Sequence, residues 1–135
     1  MRISQIMSRE VVTIGMDDSL DKAKKIFEQT KFHHLLVVEN SLLVGIISDR
    51  DLLKAVSPNL GTEAATTKDL ATLNKRAHQI MTRKPIALNE SALVKDAVVV
   101  FNQNKISCIP IVDKASKPVG ILSWRDIMRE IGRGR

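Results

Sequence analysis

Gly45-Ile46-Ile47-Ser48-Asp49-Arg50-Asp51-Leu52 recurs 75 residues later as Gly120-Ile121-Leu122-Ser123-Trp124-Arg125-Asp126-Ile127. Upstream of this stretch the correspondence continues at an offset of 74 residues. Val37-Val38-Glu39 meets Ile111-Val112-Asp113, Phe32 meets Ile106, Phe27 meets Phe101 and Ala23 meets Ala97. Ile6-Met7-Ser8 meets Ile80-Met81-Thr82, and one residue is inserted in a loop of the second copy. The order of matches is kept over more than forty residues, so the chain is a duplicated unit.

Each copy reads β-α-β-β-α, an α+β unit used twice. A short extended segment opens it: Val11-Val12-Thr13-Ile14, then Pro85-Ile86-Ala87-Leu88. An amphipathic helix follows, opened by Asp17, Asp18 or Ser19 in the first copy and by Asn89 or Ser91 in the second, at 92–101. Leu20, Ala23, Ile26 and Phe27 fall on one face at spacings of three and four. Two apolar strands come next, 35–38 and 43–47, then 109–112 and 119–122, joined by short polar loops. A second helix begins near Ser48 and Ser123 and carries Leu52 and Leu53, then Ile127 and Met128. The chain therefore divides into repeat 1 (1–55), a linker (56–75), repeat 2 (76–131) and a tail (132–135), whose Arg133-Gly134-Arg135 end reads as frayed. In the linker, Ser57-Pro58-Asn59 and Gly61 stop one helix, and Thr66-Thr67-Lys68-Asp69 opens a short new one through Leu73.

At 135 residues and 44% apolar, the chain suits one domain or two small units sharing a core, and needs no covalent staples. Its one cysteine, Cys108, excludes an internal disulfide framework and fits a reducing compartment. The longest apolar runs, 42–47 and 97–101, fall far short of the ~20 residues that span a bilayer, and the first residues hold no apolar signal core. A soluble, cytoplasmic protein is expected. The net charge of +6 is spread along the chain, which fits either ordinary solubility or an anionic partner. A phosphorylated small ligand is favoured over nucleic acid, because four aromatics (Phe27, Phe32, Phe101 and Trp124) leave little for stacking bases.

The first helices of the two copies differ. Lys24 and Lys25 correspond to Val98 and Val99, so the second copy's helix is apolar over most of its circumference. A face too wide for one core implies a second contact: a subunit interface at Val98, Val99 and Val100, or cover by the linker.

The repeated Gly-apolar-apolar-Ser-x-Arg-Asp motif supports two readings. Ser48 with Asp51, and Ser123 with Asp126, form a capping box in which hydroxyl and carboxylate satisfy amides of the first helical turn, while Gly45 and Gly120 ease the strand's entry. Alternatively, a strand running into a helix start presents free N–H groups to a phosphate, Arg50 or Arg125 adds a charged fork, and the carboxylate takes the hydroxyls of a ribose. A second cluster is Lys31-Phe32-His33-His34, matched by Lys105-Ile106-Ser107-Cys108, each just before a strand. His33 and His34 point to opposite faces of an extended chain, wrong for two ligands on one metal, so no metal site is expected. A nucleophilic Cys108–His34 pair lacks a third orienting residue, and no catalytic residues are assigned.

The whole pattern resembles a tandem pair of cystathionine-β-synthase-type (CBS) domains, over about residues 1–55 and 76–131. The resemblance rests on Ile6-Met7 and Ile80-Met81, Phe32-His33-His34-Leu35-Leu36-Val37-Val38, Ile106-Ser107-Cys108-Ile109-Pro110-Ile111-Val112 and the two Gly-to-Asp motifs. It implies two repeats packed about a pseudo-twofold axis, with clefts that bind adenosine-containing regulatory ligands. AMP, ADP or ATP rank ahead of S-adenosylmethionine or NAD, and none is a catalytic cofactor. It also implies association as a homodimer.

Carried over by position, the resemblance implies that Asp51 and Asp126 hold ribose hydroxyls while Ser48, Ser123, Arg50 and Arg125 face phosphate. One site joins Ser123, Arg125 and Asp126 to Met7, Val12, Phe32, His33 and His34, and its histidines rank it first for di- or triphosphates. The other joins Ser48, Arg50 and Asp51 to Met81, Ile86, Ile106, Ser107 and Cys108. Ser stands where the family motif often has Thr, and Trp124 replaces Asp49, so the two clefts are expected to be inequivalent. The implied function is a non-catalytic sensor that signals to a target protein in trans. Its rivals are a ligand-free dimerisation or interaction module and an enzyme using Cys108 and His34.

Overall fold

The computed structural model describes residues 1–134. The first repeat lays down strand β1 (Thr13–Gly15), helix α1 (Leu20–Gln29), strands β2 (His34–Glu39) and β3 (Leu42–Ser48), and helix α2 (Asp49–Ala55). The connecting stretch holds α3 (Thr67–Ala71) and a 3-10 turn, Thr72–Asn74. The second repeat contributes α4 (Ala77–Ile80), β4 (Thr82–Arg83), β5 (Leu88–Asn89), α5 (Val94–Gln103), β6 (Cys108–Val112), β7 (Pro118–Ser123) and α6 (Trp124–Gly132). The α+β pattern read from the sequence is therefore present twice.

Local chemistry accounts for most of these boundaries. Ser19 caps α1 by accepting the Lys22 N–H, and Thr66 caps α3 by accepting the Asp69 N–H. The β2–β3 turn places Asn40 and Ser41 at φ 51° and 67°, the mirror-image turn geometry that matches strand twist. The longer β6–β7 loop is organised by Asp113, whose Oδ1 accepts the N–H groups of Ala115 (2.8 Å) and Lys117 (3.0 Å). Here the inserted residue of the second copy is absorbed.

Two boundaries differ from expectation. Helix α5 starts after Leu93, where Asp96 accepts the Leu93 N–H (2.9 Å). Asn89 instead uses its side chain on Ser91 N–H and Oγ, forming a turn ahead of the helix. At the other end α6 runs to Gly132, and Arg133 N–H and Gly134 N–H close it on carbonyls of the last turn. Arg133 and Gly134 are thus tied down, while Arg135 lies outside the described residues.

The sheets are mixed. In one, the order is β1-β2-β3-β4, with β1 parallel to β2 (Ile14 beside Val37) and β3 antiparallel to β4. In the other, β5 runs parallel to β6, and β6 antiparallel to β7. The chain forms two compact units that cut across the repeats. One holds residues Val12–Asn40 and Val44–Lys84, built around Ile14, Leu20, Ala23, Leu35, Val37, Ile47 and Met81. The other holds Met1–Val11, Ser41–Leu43 and the chain from Pro85 on, built around Ile3, Met7, Ala97, Ile109, Ile111, Leu122 and Ile127. Each unit contains the body of one repeat and the opening segment of the other.

The motif glycines make this arrangement possible. A Cβ on Gly120 would lie 2.6 Å from Met7 Sδ and 2.8 Å from the Ser8 carbonyl oxygen. Ser8 and Ile121 exchange two backbone hydrogen bonds of 2.9 Å at this point. On Gly45 a Cβ would lie 2.5 Å from Met81 Sδ and 3.1 Å from the Thr82 carbonyl. The glycines therefore do more than ease entry into the strand: they let the opening segments lie directly on it. A methionine tip can swing aside, but a hydrogen-bonded carbonyl at 2.8 Å cannot. Gly120→Ala should destabilise the protein by about 1–3 kcal/mol and more than Gly45→Ala does. Urea denaturation of the two variants checks the order.

Candidate functional site

Both Ser–Asp motifs sit where a strand becomes a helix, and both close a capping box. Ser48 Oγ accepts the Asp51 N–H (3.0 Å) while Asp51 Oδ2 accepts the Ser48 N–H (2.8 Å). Ser123 Oγ accepts the Asp126 N–H (3.2 Å) and Asp126 Oδ2 accepts the Ser123 N–H (2.8 Å). The structural role foreseen for these four side chains is filled in both repeats. Each carboxylate nonetheless keeps its second oxygen outside the box. Asp51 Oδ1 accepts no hydrogen bond among the described residues. Asp126 Oδ1 faces Arg129 Nη1 at 3.3 Å.

The helix starts offer fewer amides than expected. The Asp49 N–H donates to the His33 carbonyl (2.9 Å) and the Trp124 N–H to the Ser107 carbonyl (3.3 Å). With the third amide of each helix held by the capping serine, two of the first three N–H groups are already used. Charge at these mouths therefore comes mainly from side chains. Arg50 and Arg125 are both exposed, and Arg125 lies over the Trp124 ring at 5.8 Å.

The two histidines sit in different surroundings. His33 is exposed, and its Nδ1 lies 2.8 Å from Asp49 Oδ2, so it donates to a carboxylate at the start of α2 in its own repeat. His34 is partly buried, and desolvation lowers its pKa from the ordinary histidine value against the opposing pull of Asp49 and Asp51. Cys108 is buried on β6, and desolvation pushes its thiol up to about 12.

The other expected residues divide between the units. Met7 lies in the unit of the Ser123 motif, and Met81 in that of the Ser48 motif, both buried on the glycines described above. Val12, half-buried, accepts the Leu36 N–H through its carbonyl (3.0 Å), and half-buried Phe32 donates its N–H to Thr30 Oγ1 (3.3 Å). Both share the unit of His33, His34, Ser48, Arg50 and Asp51. Ile86 (exposed), Ile106 (packed on the core), Ser107 (exposed) and Cys108 share that of Ser123, Arg125 and Asp126. Two features escaped the sequence reading: the His33–Asp49 pair and the Arg129 contact to Asp126. The first had a signal in the mismatch of Asp49 with Trp124, the second in a spacing of three along the helix. No cluster of three or more His, Cys, Asp or Glu side chains able to hold a metal occurs among the described residues.

Comparison with known proteins follows the duplication. The CBS domain family profile matches residues 3–58 and again 77–133. A CBS domain-containing protein of Dictyostelium discoideum is 30% identical over 128 residues, covering 93% of this chain and 88% of that protein. The L-aspartate semialdehyde sulfurtransferase of Methanocaldococcus jannaschii is 30% identical over 131 residues, which cover 96% of this chain but 23% of the enzyme. The likeness to that enzyme is thus confined to a region of CBS-pair size. Among solved structures, the CBS domain pair of protein MJ0100, in complex with 5′-methylthioadenosine and S-adenosyl-L-methionine, superposes with a TM-score of 0.80 at 29% identity. That match covers 100% of this chain and 98% of the other. No helix among the described residues is long and apolar enough to cross a membrane.

The buried thiol gives a direct check on nucleophilic chemistry. At pH 8 a thiol with a pKa of about 12 is ionised in roughly one molecule in ten thousand, against about one in ten at the ordinary 9.0. Iodoacetamide should therefore leave Cys108 unmodified in the native protein over hours and label it promptly in denaturant, as read by intact mass.

Proposed function

The chain belongs to the CBS domain family, and on that basis we propose that it is a non-catalytic sensor of adenosine-containing nucleotides. The observation that carries this reading is the second carboxylate oxygen of each aspartate, which the capping box does not use: Asp51 Oδ1 accepts no hydrogen bond among the described residues and Asp126 Oδ1 meets only the exposed Arg129, at helix mouths that each carry an arginine. A carboxylate fixed through one oxygen can accept ribose hydroxyls with the other at little further entropic cost. The structural relative that holds 5′-methylthioadenosine and S-adenosyl-L-methionine supports adenosine as the shared part of the ligand.

In this reading the ribose sits on Asp51 or Asp126, and apolar side chains flank the adenine. A 5′-phosphate lies toward Ser123 and Arg125. AMP, ADP or ATP are the ligands proposed for the arginine-rich Ser123 side. Two copies pair through the apolar α5 face, where Val98 and Val99 are 37% and 50% exposed and Val100 is half-buried. Occupancy shifts the relative populations of conformations, and a target protein in trans reads the shift.

The rival is a ligand-free interaction module, and it draws on the capping boxes being complete without any ligand. Thermal shift separates the two. AMP at a hundredfold excess over Kd should add about 2.7 kcal/mol of stability and raise the Tm by several degrees, while a ligand-free module shows no shift. Asp126→Ala should weaken AMP binding by about 1–3 kcal/mol in calorimetry. Unchanged affinity in that variant removes the ribose contact.

A further inference from the structure

The two motifs differ most at the first helical residue. In the first repeat it is Asp49, 41% exposed at its side chain and held by His33 Nδ1. In the second it is Trp124, with the Arg125 guanidinium over its ring, and Ser107 stands where the first repeat has His33. The start of α2 therefore carries two carboxylates, Asp49 and Asp51, beside one arginine. The start of α6 carries one carboxylate, Asp126, beside Arg125 and Arg129, the latter 3.3 Å from it. Lys54 occupies the place of Arg129 in the first repeat but makes no ion pair with Asp51 among the described residues. Facing a carboxylate, His33 donates its Nδ1–H there and holds the negative charge at the helix start.

We infer that Asp49 determines ligand specificity: it turns the Ser48–Asp51 half against 5′-phosphates. That half takes adenosine ligands whose 5′ substituent is neutral or cationic, and the Ser123–Asp126 half takes the phosphorylated ones. The inference rests on the adenosine-binding reading above and assigns a ligand class to each half. Asp49 and Asp51 share the first turn of one helix, so a 5′ substituent of a ribose held on Asp51 meets a second carboxylate nearby that repels a phosphate and attracts a cation. At partial exposure such a repulsion costs about three- to tenfold in affinity.

Calorimetry with adenosine and AMP on the full chain tests this. In an Asp126→Ala background, which leaves the Ser48–Asp51 half, adenosine should bind at least as tightly as AMP. Adding Asp49→Asn should tighten AMP about three- to tenfold and change adenosine by less than about twofold. In an Asp51→Ala background, Trp124→Asp should weaken AMP by a similar factor and spare adenosine, so the test does not hang on one variant folding. AMP binding more tightly than adenosine with Asp49 in place, or Asp49→Asn shifting both ligands equally, overturns the inference and leaves the adenosine reading standing. Loss of both ligands in the Asp126→Ala background does the same. A wild-type chain that binds neither ligand overturns the reading and the inference together.

Discussion

The structure depends on two missing side chains. Gly45 and Gly120 leave bare backbone on β3 and β7, and onto it come Met81 and Met7 with the segments that carry them. At Gly120 the approach is close enough for Ser8 and Ile121 to pair through two backbone hydrogen bonds. Each compact unit consequently holds an opening segment from the repeat that does not supply its body. A single repeat lacks the methionine its own glycine accommodates, which gives a physical reason for the duplication to be kept whole. The hydrophobic contribution is also substantial, since both methionines are buried in their cores.

The same strand that accepts the methionine runs on into the helix start, so the glycine lies three residues from the capping serine and six from the aspartate. Glycine fixes the backbone position of the strand, serine ends it, and aspartate closes the cap with one oxygen while presenting the other. The capping box thereby preorganises a carboxylate, whose orientation is set before any ligand arrives. Two of the first three amides of each helix are already used, and the side chains beside them differ between the repeats: Asp49 with His33 on one side, Trp124 with Arg125 on the other.

Most of the architecture was legible in the sequence because duplication doubles every signal. The strand–helix junctions at Ser48 and Ser123 followed from two independent copies of one capping pattern, and both are present. The start of α5 was harder, since Asn89 and Ser91 both read as caps, whereas the helix begins after Leu93, whose N–H is accepted by Asp96 in the first turn. The dependence of Gly120 on Met7 could not be read locally, because more than a hundred residues separate them. Around the candidate site, residue types and spacing placed both aspartates in capping boxes, but did not give the engagement of His33. Proximity to a strand mouth suggested a cation for phosphate, whereas the folded chain gives that imidazole to Asp49. The side-chain partner of an exposed histidine is a tertiary fact that periodicity does not encode.

The proposed function depends on a carboxylate recognising a sugar. The most direct measurement is a calorimetric comparison of AMP with 2′-deoxy-AMP on the unmodified protein. Removing one hydroxyl from a diol held by a preorganised carboxylate should weaken binding about tenfold. Equal affinity for the two nucleotides would contradict it.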